Sequence, residues 1–243
     1  MGKAKVQQVH TFPYEHISEK RWKPSSPLVP MNQKQANYID AIESSPCTVA
    51  TGYAGTSKTY IPVRLASKWL QQKAIDAIYM VRPAVSMSKS LGFFKGDVNE
   101  KMRQWINPIM STLQEEFPYS SIEYFLKPEI GKIVAKPLET IKGESFKNCF
   151  VLIDEAEDLS IHEVIALLTR IGTNCTMVFA GDIKQTDLKQ TSGLAKLLEL
   201  RETSEYLNSS IAHIDFDNID TDCVRSEVCK NILKGLAETG YQP

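Results

Sequence analysis

After Asn32 the chain alternates between short apolar runs and stretches in which apolar residues recur at helical spacing. A helix over about 32–43 leads to the strand-like run Cys47–Thr51, a glycine-containing loop, and a helix from about Lys58 to Gln71. Ile75–Val81, Cys149–Ile153, Cys175–Ala180 and Ile211–Phe216 read as further strands, since short continuous apolar runs suit strands covered on both faces. Helices are predicted over Asp97–Glu116, interrupted near Pro108, over Ile161–Ile171, over about 190–200 and over Val224–Ala237. In the last of these Val224, Val228, Ile232 and Leu236 form an i, i+4 stripe that should dock the helix, with Arg225 beside it and free to reach outward. Residues 118–147 are less regular and hold the short candidate strand Ile133–Ala135. Strands alternating with helices predict an α/β fold, a mostly parallel sheet with helices on both faces.

The sharpest local signal is Gly52-Tyr53-Ala54-Gly55-Thr56-Ser57-Lys58-Thr59, directly after a strand and opening a helix. It follows the P-loop pattern G-x-x-x-x-G-K-[ST], except that Ser57 takes the second glycine position. Backbone N–H groups of such a turn, with the following helix N-terminus, cradle phosphate. Lys58 would reach the β- and γ-phosphates and the Thr59 hydroxyl would ligate Mg²⁺. Serine keeps the N–H but adds a Cβ where glycine's conformational freedom is expected.

Cys149–Ile153 delivers Asp154 and Glu155 at its C-terminal end. Asp154 is the expected Mg²⁺ ligand and Glu155 the group that polarises the attacking water. Asp158 and Ser160 can instead serve the next helix as acidic and capping residues. A third strand end, Ala180, runs into Gly181-Asp182-Ile183-Lys184-Gln185, where Gln185 suits sensing of the terminal phosphate. Ligands of open α/β sheets sit beyond the carboxyl ends of the strands, so all three clusters fall at one edge.

Composition changes this picture little. There are 28 Lys and Arg against 29 Asp and Glu, a formal charge of −1, so no global positive field draws the chain to a polyanion. Residues 1–30 form a proline-containing basic arm (Lys3, Lys5, Lys20, Arg21, Lys23), and residues 31–243 read as one P-loop ATPase domain. Cys47, Cys149 and Cys175 sit in apolar runs as buried free thiols, without disulfide or zinc spacing. No apolar stretch reaches bilayer length and no signal sequence is visible, so no membrane is expected and a cytoplasmic location is. His213 interrupts a strand pattern as a structural histidine, and His162 lies on the polar side of its helix.

Together these segments resemble the PhoH-like family of P-loop ATPases, related to the RecA-like core of superfamily 1 helicases. The resemblance runs from about Pro30 to Ala237. It is carried also by Arg82-Pro-Ala-Val, Leu91-Gly-Phe-Phe-Lys-Gly-Asp97, Leu168-Thr-Arg-Ile-Gly172, Gly181-Asp-Ile-Lys-Gln-Thr-Asp-Leu188 and Thr191-Ser-Gly-Leu194. It implies that Gln33 contacts adenine, that Arg82 lies near a nucleic-acid path, and that Arg225 serves phosphate, across a subunit boundary if need be. It further implies a homo-oligomeric ring, hexameric in the family, acting on single-stranded RNA or DNA. The sequence departs from the family at Ser57, at Glu157 where glutamine is usual, and at Arg225-Ser-Glu where Arg-His-Pro is usual.

Three functions follow. The first is an ATPase, helicase-like, that binds ATP and Mg²⁺ and works on RNA or DNA through neighbouring subunits; Tyr79, Arg82, Lys89, Phe93, Phe94 and Lys95 offer stacking and phosphate contacts for it. The alternative is a slow nucleotide-dependent switch or assembly protein without a nucleic-acid substrate, favoured by Ser57 and the neutral charge. A small-molecule kinase shares the loop but lacks an evident arginine-rich lid.

Overall fold

The computed structural model describes Lys23 and residues 26–83, 98–141, 143, 145–185 and 191–239. Most of the basic arm, the Leu91–Asp97 motif with Phe93, Phe94 and Lys95, Lys89, and the Thr186–Leu188 end of the third motif lie outside the described residues.

The elements follow in the order α1 (Gln33–Ser44), β1 (Cys47–Gly52), α2 (Tyr60–Gln71), β2 (Ala77–Arg82), α3 (Val98–Glu116), α4 (Tyr119–Phe125) and β3 (Ile133–Pro137). Then come β4 (Cys149–Asp154), α5 (Ile161–Leu168), β5 (Cys175–Ala180), α6 (Gly193–Thr203), α7 (Glu205–Ser210), β6 (Ile211–Phe216), α8 (Ile219–Asp222) and α9 (Glu227–Glu238). Among the described residues six strands form one sheet in the order β3-β2-β4-β5-β1-β6, and every neighbouring pair is parallel. The expected α/β architecture is therefore present.

Its core is in two layers because strand side chains alternate in direction. Phe150 and Leu152 of β4 point into a cluster with α1, α2 and α3, through Tyr38, Ile61, Leu65, Ile109 and Leu113. Val151 and Ile153 point the other way, against Val164 and Leu167 of α5 and Leu194 and Leu197 of α6. Every residue of β1 and β4 is buried, which is why these runs carry almost no charge. The two edges are protected differently. Edge strand β3 ends in Pro137, which has no N–H to offer. At edge strand β6, Arg201 Nε donates to the Ile211 carbonyl at 2.7 Å and Lys34 Nζ to the Asp215 carbonyl at 2.6 Å.

Two helices differ from expectation. α3 runs unbroken through Pro108, at the loss of one backbone hydrogen bond, because Ile106, Ile109 and Leu113 are buried on either side while Pro108 is exposed. The last helix starts at Glu227, not Val224: the Val224 N–H is used by the Gly55 carbonyl (3.0 Å), and Ser226 caps the helix by accepting from the Cys229 N–H. Its predicted stripe is not docked. Val228 is 67 % and Ile232 58 % exposed, and the helix instead turns Lys230 and Lys234 to Asp220. Phe150→Ala should accordingly cost about 3–5 kcal/mol of stability, whereas Val228→Ser and Ile232→Ser should each change it by less than about 0.5 kcal/mol, measured by urea unfolding.

Candidate nucleotide-binding site

The C-terminal ends of β1, β4 and β5 lie side by side, so the three motifs meet. At the first end β1 runs so close to β6 that a Cβ on Gly52 would stand 2.2 Å from the Phe216 carbonyl oxygen, with φ at +113°. The next N–H, of Tyr53, donates to that oxygen at 3.2 Å. Beneath the loop, Thr51 donates to Asp215 Oδ1 at 2.7 Å and lies 2.9 Å from His213 Nε2, giving His213 the structural place expected of it. Thr56 closes the turn by donating to the Tyr53 carbonyl at 2.9 Å. Ser57 has φ +72°, the left-handed region that an L side chain adopts at a cost.

Lys58 is folded into its own loop. Its Nζ donates to the carbonyls of Gly52 and Tyr53, both at 2.6 Å. Burial lowers its pKa, against the opposing pull of Asp182, Glu157, Asp154 and Asp215. Thr59 donates to Asp154 Oδ1 at 2.9 Å. That spacing fits two cis ligands of a small octahedral cation with arms of about 2.1 Å, whose cis edge is about 3.0 Å, and both donors are the hard oxygens Mg²⁺ prefers.

Asp154 is buried, and its other oxygen takes Arg82 Nε at 3.2 Å; Arg82 also pairs with Glu155 at 3.4 Å. The resemblance implies that Arg82 lies near a nucleic-acid path, and in the structure it pairs with both members of the acidic pair. Sequence reasoning missed this because it depends on β2 lying beside β4. Glu155 itself sits at φ 56°, ψ 40°, a left-handed residue at the start of a 3-10 turn (Ala156–Asp158), with its side chain 39 % exposed. Ser160, not an acid, caps α5: its hydroxyl accepts from the Glu163 N–H while the Glu163 carboxylate accepts from the Ser160 N–H.

Burial pushes the Glu157 carboxyl up to about 8, helped by the charges of Asp158 and Glu155. Glu157 Oε2 accepts from the Asp182 N–H at 3.2 Å and would lie 2.3 Å from any Cβ on Gly181, so the third motif needs its glycine for this approach. Gln185 N–H donates to the Asp182 carbonyl at 2.8 Å. Lys184 lies over the Tyr53 ring, 4.8 Å from its centroid, joining this turn to the phosphate loop. Gln185 and Glu155 share with Lys58, Thr59 and Asp154 the wall of a cavity of about 150 Å³.

Gln33 is not brought to this place. It is exposed, donates to Asn37 Oδ1 at 2.9 Å, and lies in a groove with Asp217–Asp222. Gln35, two positions on, is buried and donates to Ser57 Oγ at 3.3 Å, while its own oxygen accepts from the Met31 N–H. The signal that distinguishes them is helical phase: Gln35 shares the face of Tyr38 and Ile42, which point inward. Arg225 lies on its own phosphate loop, its Cδ 2.8 Å from the position of a Cβ on Gly55, and lines a different cavity from Glu155.

A parallel sheet with a phosphate loop, an acidic strand end and a polar third strand end in this register is a P-loop NTPase fold. The chain belongs to the PhoH family: the family model described as PhoH-like protein matches residues 27–237. It is 36 % identical over 211 residues to Protein PhoH of Escherichia coli (strain K12), covering 86 % of this chain and 58 % of that one. It is 36 % identical over 163 residues to the PhoH-like protein of Synechocystis sp., covering 66 % and 49 %. The chain thus spans about half the length of these curated relatives. Among solved structures, the large terminase of a thermophilic bacteriophage shares the fold at TM-score 0.52 and 10 % identity, over 85 % of this chain and 50 % of that one. Among the described residues no helix is long and apolar enough to cross a membrane.

Two outcomes test the local physics. Ser57→Gly should stabilise the chain by about 1 kcal/mol in urea unfolding, by relieving the left-handed side chain. Because Glu157 titrates near 8 folded against 4.5 in the free side chain, the folded state holds the extra proton between those values. Its contribution is whole below the lower value and is lost as pH rises through the upper one. The Tm of Glu157→Gln should therefore match the parent's near pH 4.5 and exceed it increasingly toward pH 8.

Proposed function

We propose that the chain is a Mg²⁺-dependent ATPase, and that hydrolysis is coupled to single-stranded RNA or DNA in a homo-oligomer. The observation that carries the reading is the convergence of Lys58, Thr59, Asp154, Glu155 and Gln185 on one small cavity beside the phosphate loop. The loop amides and Lys58 take the phosphate charge once the amine leaves the Gly52 and Tyr53 carbonyls. Thr59 and Asp154 would hold Mg²⁺, which neutralises charge on the β- and γ-phosphates when bound. Glu155, released from Arg82, orients the attacking water, and Gln185 registers the terminal phosphate through the turn that Glu157 and Lys184 anchor.

The nucleic-acid part draws on membership of a family related to helicases and on exposed Tyr119 and Tyr124, the latter with Lys127 stacked 5.9 Å from its ring. The uncovered Val228 and Ile232 support contact between subunits. One observation favours a slow switch instead: Ser57 holds a strained φ in the turn that must close on phosphate.

Steady-state ATP hydrolysis with and without single-stranded RNA and DNA tests both. Glu155→Gln should keep ATP binding and lose about 10²–10⁴-fold in turnover, while Lys58→Ala should lose binding itself. Stimulation by a strand supports the coupled ATPase; slow turnover indifferent to either strand supports the switch; parent-like turnover in Glu155→Gln refutes the assignment of the water-activating group.

A further inference from the structure

Cys149 and Cys175 each lead a separate apolar run of the sequence, and the sheet brings them side by side as direct register partners of the parallel pair β4–β5. Both are free thiols on the same face of the sheet, in the layer packed against α5 and α6, and are 1 % and 5 % exposed. Directly opposed residues of neighbouring strands stand about 4.8 Å apart, inside the roughly 4.4–6.8 Å that a disulfide spans between Cα atoms. The Cys149 thiol donates to the Cys175 sulfur, so the two side chains already meet. The backbone leading into both is fixed. The Cys149 N–H donates to the Asn174 carbonyl at 3.1 Å and the Asn148 N–H to the Thr173 carbonyl at 3.0 Å. Asn174 Nδ2 in turn donates to the Ala74 carbonyl at 3.0 Å.

We propose that Cys149 and Cys175 form an oxidation site, at which hydrogen peroxide converts the two thiols to a disulfide that cross-links β4 to β5. The inference is independent of the nucleotide reading. The pair lies at the strand starts, about 16 Å along β4 from Asp154, and neither thiol serves the site described above. The two sulfurs differ in role. Accepting from Cys149 and from the Gly172 N–H holds the Cys175 thiol below its ordinary range against the effect of burial, whereas donating and burial push Cys149 up. Cys175 is therefore the attacking thiolate. Its sulfur bonds to one peroxide oxygen, the O–O bond breaks, and hydroxide leaves and takes up the thiol's proton as water, giving a sulfenic acid on Cys175. The Cys149 sulfur then attacks the Cys175 sulfur, the S–O bond breaks, and the hydroxyl departs as water with the Cys149 proton. Two thiols lose two electrons, and one peroxide is reduced to two waters. Cys47 shares the layer but pairs in register with Met177, which leaves it diagonal to Cys175, and burial pushes its thiol up to about 12.

The test exposes the fully reduced full chain to hydrogen peroxide, blocks the remaining thiols by alkylation in denaturant, and maps the peptides by mass spectrometry without reductant. The parent should yield one peptide pair joined through Cys149 and Cys175 and separated by dithiothreitol. Its Tm should rise by about 5 °C or more over the reduced chain, because the closed loop encloses all of α5. Cys149→Ala should stop at a sulfenic acid on Cys175, which dimedone traps, while Cys175→Ala should leave Cys149 a free thiol. Cys47→Ala should still form the cross-link. A parent that forms no cross-link, or forms it through Cys47, would overturn the proposal, and so would an oxidised parent whose Tm does not rise. A dimedone adduct on Cys149 in Cys175→Ala would refute the assignment of the attacking thiol. The parent's own peptide map decides the pairing even where an alanine variant fails to fold.

Discussion

The carboxylate of Asp154 ties the ends of β4 and β2 to the start of α2, and the site depends on that tie. One oxygen holds Thr59 at the start of α2, and the other holds Arg82 at the end of β2. It is a buried charge at the end of a fully buried strand, tolerable only because both oxygens are met by donors. This single group fixes where the phosphate loop stands relative to the acidic strand end. It also explains why Arg82 faces inward, and it sets the spacing at which a small cation would bridge Thr59 and Asp154.

Around that centre the chain stores local strain. Ser57 and Glu155 both sit in left-handed backbone, and Gly52 and Gly181 allow approaches that no Cβ would permit. The protonatable Glu157 fits the same pattern. It anchors the Asp182 N–H as a neutral acid can, in the position where the family usually has a neutral amide. Two of the departures from the family pattern thus gain local hydrogen bonds, Ser57 from Gln35 and Glu157 from the Asp182 N–H, while Ser57 keeps its strained backbone.

Much of this was legible in the sequence because burial leaves a plain mark. β1, β4 and β5 are apolar runs ending in polar clusters, and their shared edge follows from parallel topology alone. What was not legible depended on what covers a surface. Val228 and Ile232 have the spacing of a docking stripe, but periodicity shows where a helix is apolar and not whether anything lies against it. Gln33 and Gln35 differ by two positions, and only the inward phase set by Tyr38 and Ile42 separates them. Arg82 and Glu155 are far apart in sequence, so their pairing required the strand order β2-β4.

The most direct test of the tie at Asp154 is a thermal-shift titration with ATP, with and without Mg²⁺, on the parent and on Asp154→Asn. A ligand bound only to the folded state raises stability by RT ln(1 + [L]/Kd), so the increment reports affinity. The parent should gain stability from ATP and a further increment from Mg²⁺, and Asp154→Asn should lose the Mg²⁺ increment alone. An Mg²⁺ increment that survives in Asp154→Asn, or is absent from the parent, would contradict the account.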